Sequence, residues 1–153
     1  MNEEHIRLDG TGLRFGIAVS RFNALVTEPL LEGARAFLLQ HGVEAIDVVR
    51  VPGSWELPLV MRWMADAGRF DALVALGCVI RGGTPHFEYV SGEMAKGLGA
   101  AQNEHRIPIG FGVLTTDTLE QALERAGSKM GNKGWEAAAA SLEMALLRRR
   151  LGS

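Results

Sequence analysis

One cysteine, Cys78, stands in 153 residues. A lone thiol cannot close an internal disulfide or build a multi-cysteine zinc site, and it fits a reducing compartment. Net charge is almost as scarce: 16 Lys and Arg face 18 Asp and Glu, a balance of −2. That removes any global attraction to nucleic acid or to an anionic membrane, so anion binding, if present, must be local. No apolar run approaches the ~20 residues of a membrane span. The opening residues Met1-Asn2-Glu3-Glu4-His5 are polar and acidic where a secretory leader would be basic and then apolar. A soluble, unprocessed, cytoplasmic chain is expected, with no nucleic-acid or membrane partner. Repeats, linkers and low-complexity tracts are also missing, and 47% hydrophobic residues suffice for one sizeable core. One domain over 1–153 follows, with 1–12 as an extended N-terminal arm.

What the chain does have is alternation. Short apolar runs at 13–20, 46–51, 72–79 and 107–114 lack strict polar alternation, as strands covered on both faces do. Longer amphipathic segments separate them, the pattern of a four-stranded parallel sheet in a three-layer α/β/α sandwich with helices on both faces. Leu30, Ala34, Phe37 and His41 mark the inner face of a first helix, and Gly42 follows where a left-handed C-terminal residue belongs. A second helix over 56–67 ends at Gly68 in the same way. The third, over 87–105, carries Val90, Met94, Leu98 and Ala101 on one stripe, with Gly92, Gly97 and Gly99 allowing close packing. Leu119, Ala122, Leu123 and Ala126 define a short fourth helix capped by Asp117 or Thr118, with Arg125 pointing away from the core. The last, over 133–150, buries Trp135, Ala139, Leu142 and Leu146.

Ligands of open parallel sheets bind beyond the C-terminal strand ends, where strand order reverses. The unusual residues of this chain fall there: Arg21-Phe22-Asn23 after the first strand, Pro52-Gly53-Ser54-Trp55-Glu56 after the second, Arg81 to His86 after the third, and Phe111 with Thr115-Thr116-Asp117 at the fourth. The third loop is the most informative. Gly82 and Gly83 let backbone amides approach a ligand, Thr84 adds a hydroxyl, and His86 brings an imidazole, which exchanges protons near neutral pH. A helix opening at Phe87 would add positive potential at the same point.

Each residue also has an ordinary explanation. A loop histidine is commonly a solvated side chain or a helix cap, and Phe22 or Trp55 can be core. Arg125 and Lys133 are by default surface charges. Cys78 lies in an apolar strand, where it acts as a small hydrophobe rather than a nucleophile. Arg148-Arg149-Arg150 is a solvated helix end, and His5, His41 and His105 have no supporting context. The glycine loop matches neither the dinucleotide fingerprint nor the P-loop.

Five segments carry more than these single residues do. Ser20-Arg21-Phe22-Asn23, Val51-Pro52-Gly53-Ser54-Trp55-Glu56-Leu57-Pro58, Gly77 to Phe87, Phe111-Gly112-Val113-Leu114-Thr115-Thr116 and Gly131-Asn132-Lys133-Gly134-Trp135-Glu136-Ala137-Ala138 stand in the order and spacing of one family. The chain resembles the lumazine synthases of riboflavin biosynthesis over nearly its whole length.

That resemblance implies a flavodoxin-like fold and a transferase that condenses 5-amino-6-(D-ribitylamino)uracil with 3,4-dihydroxy-2-butanone 4-phosphate. The products are 6,7-dimethyl-8-ribityllumazine, phosphate and water, and no metal or redox cofactor is implied. Carried over by motif, Phe22 stacks on the pyrimidine, while Ser54, Trp55 and Glu56 hold the ring and ribityl chain. Cys78, Val79 and Ile80 offer backbone contacts. Gly83, Thr84 and Arg125 bind phosphate with Lys133 close by, and His86 is the catalytic proton carrier. Phe111 and Arg125 look into a neighbouring subunit's site. Trp55 replaces the family's more common phenylalanine, and Gly83 a larger residue. The implied partners are the two small-molecule substrates, further copies of the chain in a pentamer or a sixty-subunit cage, and riboflavin synthase. The short 127–132 connection resembles that of cage-forming members. Two other readings stay open: a non-catalytic flavin- or lumazine-binding module, and a protein that serves mainly as a shell.

Overall fold

The computed structural model describes residues 3, 5–83, 85–129 and 131–152. Among them, four parallel strands and five α-helices alternate: β1 (Arg14–Ser20), α1 (Ala24–Gln40), β2 (Ala45–Val51), α2 (Leu57–Asp66), β3 (Ala72–Ile80), α3 (Phe87–His105), β4 (Ile109–Thr116), α4 (Leu119–Arg125) and α5 (Lys133–Leu151). The strand order is β2-β1-β3-β4. β1 therefore stands beside both β2 and β3, with Phe15 in register with Ile46 on one side and Ala72 on the other.

Side-chain size decides how the helices sit on the sheet. On one face Phe15, Ile17 and Val19 of β1 join Val74 and Leu76 of β3 under α1, α4 and α5. On the other, smaller residues let α2 and α3 come close: Ala18 and Ala75 meet Met61, Met64, Met94 and Leu98. Gly16 belongs to that face, and a Cβ there would lie 2.5 Å from the Met64 methyl. The result is the expected three-layer α/β/α, flavodoxin-like fold. Each fully buried Leu, Phe or Met contributes ~1.5–3 kcal/mol of transfer free energy.

Helix ends follow local chemistry. Gly42 and Gly68 take left-handed backbone (φ 90° and 69°), as expected after α1 and α2. Thr118, not Asp117, caps α4, accepting the Gln121 N–H while the Gln121 side chain accepts from the Thr118 N–H. Several boundaries and faces differ from expectation. The segment expected to open the second helix at 56 is a 3₁₀ turn, Ser54–Glu56, and α2 starts at Leu57 with Pro58 in its first turn. β4 lies two residues later than expected, because Thr115 and Thr116 extend the ladder opposite Val79 and Ile80. Pro108, which has no N–H to give, stays outside it. Of the three α3 glycines, only Gly97 has a tight neighbour, Pro58, whereas added Cβ atoms at Gly92 and Gly99 would meet nothing within 4 Å. In α5 the buried stripe is Gly134, Ala137, Ala138, Ser141, Leu142 and Ala145. Trp135, Ala139 and Leu146 only flank it, because a Cβ at Gly134 would collide with the Leu30 carbonyl and the helices touch backbone to backbone there.

Candidate active site

β1 sends its helix to one face of the sheet, and β3 sends its own to the other. Above this divergence lies a cavity of about 260 Å³ lined by Phe22, Gly53, Ser54, Trp55, Cys78, Val79, Pro85 and Val90. Larger depressions of about 350 and 480 Å³ exist elsewhere, one against the far ends of α3 and α5 and one between α1 and α4. The smaller cavity is the candidate because it joins aromatic faces, open strand ends and a histidine loop at the switch point.

Its walls are fixed mainly through backbone. The Phe22 N–H donates to the Pro52 carbonyl (3.1 Å), and the Ser20 hydroxyl donates to the Phe22 carbonyl (3.1 Å). The Phe22 backbone is thus fixed while the residue remains 54% exposed, which suits a stacking platform better than a core residue. Asn23 turns left-handed (φ 63°), its carbonyl accepts the Val26 and Thr27 amides, and its side-chain amide donates to the Cys78 carbonyl at 3.1 Å. Trp55, half exposed, stacks on Tyr89 with centroids 5.9 Å apart and an angle of 27°.

The Ser54 hydroxyl is buried with no hydrogen-bond partner, and it sits so close over Gly77 that a Cβ there would lie 2.5 Å from it. Cys78 is buried, and desolvation pushes its thiol from 9.0 up to about 11. At neutral pH it remains a thiol and no nucleophile. Val79 lines the cavity, but Ile80 packs under the opposite face of the sheet. Glu56, half-buried, ends the 3₁₀ turn beside Trp55, its N–H bonded to the Gly53 carbonyl (3.2 Å).

The histidine loop opens with a 3₁₀ turn, Arg81–Gly83. Thr84 lies outside the described residues. His86, solvent-exposed and left-handed (φ 67°), immediately precedes α3, and its carbonyl accepts the Val90 N–H (2.9 Å). Among the described residues only three non-glycines are left-handed, and two of them, Asn23 and His86, are each one residue from the cavity wall. Such backbone, costing ~1–3 kcal/mol each, concentrates at working sites. Arg81 braces the loop: Nε donates to Asp117 (2.9 Å), Nη1 donates to Glu88 (3.1 Å), and the guanidinium lies 4.6 Å over the Phe87 ring.

Phe111, Arg125 and Lys133 do not line the cavity. Phe111 is 40% exposed in mid-β4, opposite Ala75. Arg125, exposed, ends α4, and Lys133, half-buried, begins α5. Among the described residues no three His, Cys, Asp or Glu side chains gather as metal ligands. Sequence reasoning placed Asn23 in the site loop without giving it a role, and it assigned no site role to Tyr89 or Val90. For Asn23 a signal existed, since asparagine is enriched in left-handed backbone.

The geometry can hold a flat ring between Phe22 and the β3 edge, with His86 next in chain to the lining residue Pro85. A family model described as 6,7-dimethyl-8-ribityllumazine synthase matches residues 12–149. The 6,7-dimethyl-8-ribityllumazine synthase of Syntrophus aciditrophicus (strain SB) is 55% identical to this chain over 147 residues, 95% of this chain and 96% of that protein. With the family model spanning residues 12–149 and that relative matched over nearly its whole length, the chain belongs to the 6,7-dimethyl-8-ribityllumazine synthase family.

Proposed function

We propose that this protein is a 6,7-dimethyl-8-ribityllumazine synthase of riboflavin biosynthesis, joining 5-amino-6-(D-ribitylamino)uracil to 3,4-dihydroxy-2-butanone 4-phosphate. The observation that carries the reading is 55% identity over 95% of the chain to a protein of that name. Phe22 and Trp55 offer aromatic faces to the pyrimidine, the Cys78–Ile80 edge offers backbone groups, and Ser54 with Glu56 takes up the ring and ribityl chain. The buried, unpartnered Ser54 hydroxyl is support for that role.

The reaction needs an amine to attack a ketone, water and phosphate to leave, and a ring to close. Protons therefore move both ways, and His86 is the group for this work, exposed in front of α3. Gly83, Thr84 and Arg125 receive the phosphate with Lys133 beside them. The opening turn of α3 lies at the same end of the sheet, and its free amides favour an anion. Holding two substrates side by side supplies much of the remaining acceleration.

The site is completed by assembly into a pentamer, which can build a larger cage, and Phe111 and Arg125 come from the neighbouring subunit. Support lies in their absence from this chain's own cavity and in the apolar surface left bare, including Trp63 and Leu59 on α2. No helix among the described residues is long and apolar enough to cross a membrane. The cytoplasm is the proposed location, with riboflavin synthase as the partner that consumes the product. Mixing the two substrates with the protein and following lumazine absorbance together with phosphate release tests the activity. A folded protein that binds the pyrimidine but forms no product would be a binding module instead.

A further inference from the structure

Asn132 joins three helices through one side chain. Its Nδ2 donates to the Pro29 carbonyl within α1 (3.0 Å) and to the Ala126 carbonyl just after α4 (3.1 Å), while its Oδ1 accepts the Trp135 N–H and caps α5 (3.0 Å). No side chain fits at Gly33, where a Cβ would collide with this amide. The backbones of Ala126 and Asn132 form an isolated antiparallel bridge. Arg125, the last residue of α4, and Lys133, the first of α5, directly flank this bridge, which ties the two helix ends together. The connection between them includes two left-handed glycines, Gly127 (φ 116°) and Gly131 (φ 82°), which stiffen nothing by themselves.

We infer that Asn132 is a positioning residue whose amide sets the spacing of Arg125 and Lys133 and thereby the grip on the substrate's phosphate, an inference that rests on the phosphate role proposed for those two residues. Both cations have long side chains with many rotamers, and ordering them on an anion costs entropy. Fixing their backbones in advance removes part of that cost. The two ends of the Asn132 side chain divide the work. Oδ1 serves the helix, as any N-cap does. Nδ2 serves the tie between the ends of α4 and α5, and a helix cap alone does not need it.

Asn132→Ser separates the two, since a serine oxygen still caps α5 but no amide reaches Pro29 or Ala126. In steady-state kinetics of the assembled enzyme, this variant should raise both KM for the four-carbon phosphate and the inhibition constant of inorganic phosphate about tenfold, leaving KM for the pyrimidine within twofold. In an Arg125→Ala background the same change should add less than twofold, because the two act on one contact. Asn132→Asp, of the same shape and also a good cap, should show the same split. Equal shifts for both substrates, wild-type constants, effects that multiply with Arg125→Ala, or failure of both variants to fold would each overturn the positioning role. Phosphate constants unmoved by Arg125→Ala alone would instead show that the phosphate reading itself is wrong, and the positioning role would fall with it.

Discussion

The side-chain amide of Asn23 donates to the carbonyl oxygen of Cys78, tying the loop that carries Phe22 to the end of β3. Two parts of the cavity wall distant in sequence are thereby held at one spacing. The bond also stabilises a left-handed backbone that asparagine tolerates and alanine does not.

Asn23→Ala should lose about 2 kcal/mol of stability, roughly one from the hydrogen bond and one from the backbone. Asn23→Gly, free of the backbone cost, should lose about half as much. Urea unfolding of both variants gives the comparison, and a glycine variant no better than alanine would remove the left-handed turn as a source of strain. KM for the pyrimidine should rise in both.

His86 is also left-handed, so asparagine is a cleaner replacement there than alanine. His86→Asn should lower kcat about a hundredfold or more, within the ~10²–10⁴ span of positioned acid–base groups, and leave pyrimidine affinity and the unfolding midpoint nearly unchanged. An unaltered turnover number would take His86 out of the proton transfers.

A methyl group at Gly134 would meet the Leu30 carbonyl, a backbone atom that cannot swing aside. Gly134→Ala should therefore destabilise the protein by about 2–3 kcal/mol despite alanine's better helix propensity. Thermal unfolding measures this, and a raised melting temperature would mean that α1 and α5 separate more easily than their contact suggests.

Burial sets the behaviour of the Cys78 thiol. Its pKa in the folded protein, about 11, exceeds the ordinary 9.0, so the folded state holds this proton more tightly than the unfolded chain does. The sign follows: the stability linked to Cys78 is complete below pH 9 and is lost as pH rises from there through about 11. Iodoacetamide should label native protein far more slowly than urea-unfolded protein at pH 8. Equal labelling rates would contradict the burial.

Periodicity and turn chemistry in the sequence were enough to place every strand and helix, because each inner stripe and each helix-ending glycine leaves a local mark. The errors arose where non-local pairing decides. β4 continues through Thr116 because β3 offers Ile80 as a partner, and nothing between 107 and 117 announces that. α5 turns its small residues inward because Leu30 approaches Gly134, a contact across a hundred positions of chain. At the site, Phe22, Ser54, Trp55, Cys78 and Val79 converge as their motifs suggested. The Ile80 side chain packs instead against the same core as Cys78, which leaves the backbone contact expected of it untouched. Tyr89 and Val90 read as ordinary helix residues, and only the fold sets them against Trp55 and the cavity.

The position of β1 between β2 and β3 also bears on the order of events during folding. Phe15 must find Ala72 across more than fifty positions of chain before the central pair exists, a slow closure compared with helix formation. Phe22 arrives with β1, Trp55 with β2, and Val79 with β3, so the cavity has no walls until that pairing is complete. Refolding chains should accordingly regain helical circular dichroism first and ligand-quenchable Trp55 fluorescence last, which makes the binding site itself the marker of the final folding step.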